Sequence, residues 1–339
     1  IHWNDTVKER LYGPNTTAHL DGEYLDSLEG YVTADLNFRR EHFRFTTVPL
    51  SFATDTHRPA LFKGLAIYEF TRWISTDVRR LGGLVFANGV PYRFGFLCGW
   101  LDVLGTETDW LPGGVYRPVS HAQMALWRTL AGAKPYLLLM NTDYDRFTTN
   151  HVERYFQRSL FYGMFPSMFS HNAADNPYWR NPTWYNRDRP LFQKYIPLIR
   201  RVAEAGWQPV TGARSDNPQL WLERFGPDAR GAVYVTVLNT TTTAQSGVLR
   251  VESGTGLARP PAAATELLTG RRLPEAGDGW RVELPAEGVA VVAPEPGPRF
   301  VGAESADGAV RLHIASPPGL AQVLEASCDL RDWTTVEAW

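Results

Sequence analysis

What most constrains this chain is a repeated pattern: an apolar run that ends in polar residues, followed by an amphipathic helical stretch. The runs are GEYLD (22–26), LVFANG (84–89), WLDVLGTETDW (100–110), KPYLLLMNTDYD (134–145) and YGMFPSMFSHN (162–172). Runs this continuously apolar suit parallel strands buried on both faces. The stretches between them read as helices. One covers 59–82, with Leu61, Leu65, Tyr68, Trp73 and Ile74 near one face and Gly82-Gly83 as its stop; others cover about 118–131, 149–160 and 188–205. Strand and helix in alternation define the α/β class. In a (β/α)8 barrel the strand ends share one face, and that face holds the active site. Here those ends carry Asp26, Asn88, Glu107, Asn141 with Asp143, and His171 with Asn172. A doubly wound sheet also binds at strand C-termini. No G-x-G-x-x-G or G-x-x-x-x-G-K-[ST] loop follows any of these runs, which argues against nucleotide chemistry.

A barrel needs eight strands, and only these runs precede residue 172. The chain starts at Ile1 and stops at Trp339 inside a strand-like pattern. We therefore expect the C-terminal part of a (β/α)8 TIM-type barrel, strands four to eight, in residues 1–214, with 33–52 a long excursion at the active-site end. A complete, smaller α/β sheet is the alternative. Near residue 215 the composition turns to Val, Thr, Gly and Pro in short alternating segments, which predicts an antiparallel β-sandwich over 215–297. Residues 298–339 read as the start of another, truncated β module.

Bulk properties exclude several classes. A net charge of −2 leaves no broad footprint for nucleic acid. No apolar run reaches the length of a membrane span. The two cysteines and eight histidines show no metal-ligand spacing, so neither a metal nor another cofactor is expected. Aromatic residues are plentiful, with Trp 12, Tyr 14 and Phe 17. Burial absorbs most such residues; the surplus suits a carbohydrate binder, because flat rings match the apolar faces of sugars.

The chemistry is sought in the carboxylates. Cleaving a glycosidic bond takes two carboxyl groups across the scissile bond, about 5–5.5 Å apart for retention and about 6.5–9.5 Å for inversion. Asp26 and Glu107, at strand ends with one strand between them, are the expected catalytic pair. Asp26 can equally be a turn residue. Glu29 competes with it, or bonds sugar hydroxyls from the following turn. Asp102 is either a satisfied core carboxylate or a substrate contact. Asp143 either binds a hydroxyl or caps the helix starting near Thr148. Asn88 is a turn residue or an amide donor to substrate, and His171 a structural residue or a contact. Trp100 and Trp110 flank the expected acid as sugar platforms, or pack beneath the loop. No G-x-S-x-G elbow supports a nucleophilic serine.

The series YLDS, LVFANG, LDVLGTE and KPYLLLMN, followed by a sandwich, resembles the catalytic half of retaining α-glycosidase barrels, the group that includes α-galactosidases, α-glucosidases and endo-α-N-acetylgalactosaminidases. The resemblance implies a glycoside hydrolase acting by double displacement on an oligosaccharide or polysaccharide. It sets Asp26 at the nucleophile position, at the end of strand four, and Glu107 at the acid/base position, at the end of strand six. Glu107 stands where α-galactosidases usually carry Asp; the endo-acting relatives use Glu, on strand five. LEASCDLRDWTTV resembles accessory β modules of secreted polysaccharide-degrading bacterial proteins, which implies a secreted or periplasmic protein. The rival reading is a non-catalytic carbohydrate-binding protein on a decayed barrel.

Overall fold

The computed structural model describes residues 3–17, 20–28, 33–90, 95–170, 176–252, 263–295, 299–306, 309–315, 323–328, 331–332 and 334–338. The chain divides into two compact units, Ile1–Ala203 and Glu204–Trp339.

In the first unit, helix α1 (Asp5–Tyr12) precedes strand β1 (Gly22–Leu25). The Asn4 side chain caps α1 by accepting from the Val7 amide. Short strands β2 (Leu36–Asn37), β3 (Ser51–Phe52) and β4 (Pro59–Phe62) follow, pairing in the order β2-β4-β3. β2 and β3 lie in the 33–52 excursion expected after the first apolar run, whereas β4 takes Pro59–Phe62, the first residues of the expected 59–82 helix, which begins only at Lys63. Then come α2 (Lys63–Arg80), β5 (Leu84–Asn88), β6 (Val103–Thr108), α3 (His121–Ala131), β7 (Tyr136–Met140), α4 (Thr149–Tyr162), β8 (Phe165–Met168) and α5 (Pro182–Ala205).

Local signals set the helix ends. Ser120 caps α3 by accepting from the Gln123 amide, and Gly132, with φ of 59°, stops it. Thr148 and His151 form a capping box on α4, and Gly163 ends it in the left-handed region. The buried stripe of α2 is Gly64, Thr71, Ile74, Ser75 and Val78. Trp73, expected on that stripe, is 47% exposed. It sits one residue, about 100° of helix, away from Ile74.

All five long apolar runs form one sheet, in the order β1-β5-β6-β7-β8, with each pair parallel. Neighbours in space are neighbours in chain order, so the sheet has no topological switch point of the doubly wound kind. Among the described residues, β1 and β8 each pair with one strand only, so barrel closure is not seen.

The register sorts side chains onto two faces. One face carries Val85, Ala87, Leu104, Thr106, Tyr136, Leu138 and Met140, all buried. Trp127 of α3 stacks on Tyr136 there, centroids 6.2 Å apart. The other carries Phe86, Val103, Glu107, Leu137, Leu139 and Ser167, all of intermediate burial. At Gly105 on that face an added Cβ would lie 2.7 Å from the Phe86 ring and 2.9 Å from the Leu137 carbonyl oxygen. Glycine makes room for the Phe86 ring beside β6.

In the second unit every strand pairing among the described residues is antiparallel. Strands β9 (Trp207–Gln208), β10 (Ala213–Ser215), β11 (Leu220–Phe225), β12 (Tyr234–Asn239), β13 (Gln245–Val251), β14 (Ala264–Glu266), β15 (Arg271–Arg272), β16 (Glu275–Ala276), β17 (Gly279–Leu284) and β18 (Val289–Pro294) build two sheets. Their orders are β10-β13-β17-β16 and β15-β14-β18-β12-β11-β9. One hydrophobic cluster draws on both: Leu249, Trp280 and Val282 from the first sheet, Val235, Val237, Ala290 and Val292 from the second. Two hairpins follow, β19 (Arg299–Ala306) with β20 (Ala309–Ala315) and β21 (Val323–Ala326) with β22 (Thr334–Ala338).

Candidate active site

The C-terminal ends of β5, β6 and β7 meet at one carboxylate. Asn88 is the last residue of β5, Glu107 stands one residue from the end of β6, and Asn141 follows the last residue of β7. Register puts all three on the same face, because Asn88 pairs with Gly105 and Glu107 with Leu139. The Asn88 Nδ2 donates to Glu107 Oε2 at 3.2 Å, and the Asn141 Nδ2 donates to Oε1 at 2.5 Å. Each oxygen of Glu107 thus takes an amide donor from a neighbouring strand. Asn88 and Asn141 are only 5% and 9% exposed, while Glu107 is half-buried. The Asn141 Oδ1 is buried without a hydrogen-bond partner among the described residues.

Surrounding hydrogen bonds fix this rim. The Asn141 amide continues the ladder to the Thr108 carbonyl at 2.8 Å. Asp109 Oδ1 accepts from the Thr142 hydroxyl and from the Leu111 amide, both at 2.7 Å, joining the loops after β6 and β7. The buried Tyr144 hydroxyl donates to the Met140 carbonyl and accepts from the Phe169 amide at 3.0 Å, which ties in the end of β8. Burial pushes the Tyr144 proton affinity well above that of an ordinary phenol.

Asp26 lies on a turn just past β1. Leu25 pairs with Ala87, so Asp26 is level with Asn88. It is exposed, and its Oδ1 accepts from the Tyr24 hydroxyl at 3.1 Å. Ser27, next in the chain, has a φ of 55°, a left-handed backbone that non-glycine residues seldom adopt. Two strand spacings separate Asp26 from Glu107, about 10 Å between backbones at about 4.8 Å each.

Several expected site residues fall elsewhere. Asp102 precedes β6, at the end of the strand away from Glu107. Its Oδ1 takes Arg79 Nη2 at 2.7 Å and Nε at 3.1 Å, and its Oδ2 takes the Val85 amide at 2.9 Å. It is the satisfied structural carboxylate of the two alternatives. Trp100 ends the 3₁₀ turn Gly95–Trp100 on that same side, with Tyr68 at 6.0 Å and the Arg72 guanidinium at 5.7 Å, both from α2. Trp110 is 0% exposed, packed edge-on to Tyr155 at 5.3 Å with the Arg158 guanidinium over its ring. A ring with no free face cannot serve as a sugar platform. Asp143 closes its own turn, accepting from the Asp145 amide at 3.1 Å; Thr148, not Asp143, caps α4. Glu29 and His171 lie outside the described residues. Asn141 was legible as a strand end but not as a site residue. The signal was there, since it follows buried Met140 as Asn88 follows buried Ala87.

No protein-family model matches the chain, and no curated protein matches it. Solved structures that resemble it include glycoside hydrolases. An α-amylase from Anoxybacillus shares 13% identity at a TM-score of 0.44, over 68% of this chain and 56% of that one. A GH30 endoxylanase from Clostridium papyrosolvens C71 shares 15% at 0.35, over 67% and 59%. α-Galactosidase I from Mortierella vinacea shares 7% at 0.30, over 67% and 80%. The chain thus spans less than two thirds of the length of the first two, and likenesses this loose assign it no activity.

Proposed function

We propose that the chain is part of a glycoside hydrolase that cleaves an O-glycosidic bond in an oligosaccharide or polysaccharide. In this reading it is an enzyme of the retaining type, secreted or periplasmic like the proteins whose accessory modules LEASCDLRDWTTV resembles. One observation carries the proposal: Glu107 is held at the C-terminal rim of a sequentially ordered parallel sheet by Asn88 and Asn141 from the flanking strands. The half-buried opposite face supports strands four to eight of a barrel, because parallel sheets are covered on both faces. The antiparallel second unit is then the β-sandwich that follows such barrels, with the last hairpins as an accessory module.

Glu107 is the acid/base. It gives its proton to the leaving oxygen while Asp26 attacks the anomeric carbon, then takes a proton from the water that releases the sugar. Asn141 suits a group that alternates between these forms. Its NH2 donates to the carboxylate, and its Oδ1, without a partner among the described residues, can accept from the acid after the amide turns over. For Asp26 to share the sugar ring, its side chain and that of Glu107 must lean together over Asn88.

The exposure of Asp26 favours one rival, carbohydrate binding without catalysis. A panel of α- and β-linked nitrophenyl glycosides, from monosaccharides to oligosaccharides, separates the two. The hydrolase reading expects turnover of at least one glycoside, retention of the anomer by NMR, and loss of turnover in Asp26→Asn with the fold intact by circular dichroism. Absence of turnover across the panel, or a fully active Asp26→Asn, defeats it.

A further inference from the structure

With Trp110 buried and Trp100 at the far end of β6, the first unit still presents a tryptophan to solvent beside the rim. Trp179 is 57% exposed. It stands in the short 3₁₀ turn Tyr178–Arg180 after β8. Its ring rests on other aromatics: Tyr178 edge-on at 5.0 Å, Phe192 at 5.2 Å and Tyr185 nearly parallel at 6.4 Å.

The turn that carries it is locked. The Tyr178 hydroxyl donates to the fully buried Asp188 at 2.9 Å, and Asp188 takes Arg187 through Nε and Nη2, each at 2.8 Å. Arg187 also donates to the carbonyls of Tyr144 and Phe147, both at 3.0 Å, and Trp184 Nε1 donates to Asp145 at 2.7 Å. An exposed ring seated this firmly loses little freedom when something stacks on it.

Hydrogen bonds lead from this turn to the candidate acid. The Tyr178 amide donates to the Phe169 carbonyl at 2.6 Å, and the Phe169 amide donates to the Met140 carbonyl at 3.1 Å. Met140 precedes Asn141, which holds Glu107. The backbone path crosses three strand spacings, about 14 Å. Phe169, midway along it, is also 44% exposed. The backbone thus steps outward from Glu107 past two solvent-exposed aromatics, Phe169 and then Trp179.

We propose that Phe169 and Trp179 are stacking platforms for successive sugar rings, so that the substrate of this site is an extended oligosaccharide rather than a small glycoside. This rests on the glycosidase reading for the position of the cleaved bond, but not for binding itself.

The test uses residues 1–339 carrying Glu107→Gln, titrated by calorimetry with neutral α- and β-linked hexose and pentose oligosaccharides from disaccharide to hexasaccharide. Affinity should rise with length for at least one series. Adding Trp179→Ala should weaken hexasaccharide binding about tenfold, the worth of one aromatic contact of about 1.4 kcal/mol. Trp179→Phe should recover most of that, and near-UV circular dichroism checks the fold. Length-independent affinity, no binding in any series, or equal binding by Trp179→Ala overturns the platform. Trp179-dependent binding together with failure of the unsubstituted chain to hydrolyse any glycoside keeps the platform and removes the hydrolase.

Discussion

Strand β6 has a carboxylate near each end, and the two are held in opposite ways. Asp102, just before the strand, is tied to the charge of Arg79 and to a backbone amide. Glu107, near the far end, is positioned by two neutral carboxamides. A carboxylate bound to a fixed cation is committed to holding α2 against the sheet. One that takes side-chain amides from the two flanking strand ends is fixed in space at the rim, where a substrate would lie. The same residue class, five positions apart, serves the fold at one end and the candidate chemistry at the other.

The largest effect that could break this contrast is at Glu107. Glu107→Ala should lower kcat by roughly 10²–10⁴ on glycosides with poor leaving groups and far less on nitrophenyl glycosides, with little change in urea midpoint. Equal losses on both leaving groups would remove the acid role. Asn141→Ala should come next, at about 10²-fold in kcat with a shifted pH–rate profile, because the carboxyl loses the amide that aims it. Asp102→Ala should do the reverse. We expect about 1–3 kcal/mol of lost stability in urea titrations and an unaltered pH–rate profile, since a charge-assisted network and a backbone partner are removed. A catalytic defect in refolded Asp102→Ala would erase the distinction between the two ends.

The smallest expected effect guards the comparison against a general acid response. Burial, helped by Arg158, holds His121 down at about 4. The folded protein keeps this ring neutral where an unfolded chain, near the ordinary 6.5, takes up a proton. Stability is complete above about 6.5 and declines as pH falls toward 4. His121→Gln should flatten that decline, as read from urea midpoints at pH 7 and pH 5.

The five-strand sheet was legible because continuous apolar runs such as KPYLLLM leave little choice but a buried strand. The carboxylates were harder. Asp102 and Glu107 lie in one run, and the pattern does not show that the strand begins only at Val103, which puts Asp102 at the wrong end. Trp100 and Trp110 stayed open between platform and packing because loop residues follow no period, so nearness to Glu107 in the chain says nothing about where a ring points. The excursion's place in the chain was readable, but its small sheet β2-β4-β3 was not, since strands of two to four residues carry no pattern. The pairing of Asn88 and Asn141 on Glu107 needed the register, which depends on contacts between strands rather than on any one of them.

The strand order also governs how this sheet can be made. β5 joins β1, and each strand from β6 to β8 joins the one made just before it, so the sheet grows only at an existing edge. No strand must slip between two finished neighbours. A nascent chain halted after β6 already has Asn88 and Glu107 on adjoining strands, and synthesis of β7 then delivers Asn141 to complete the trio.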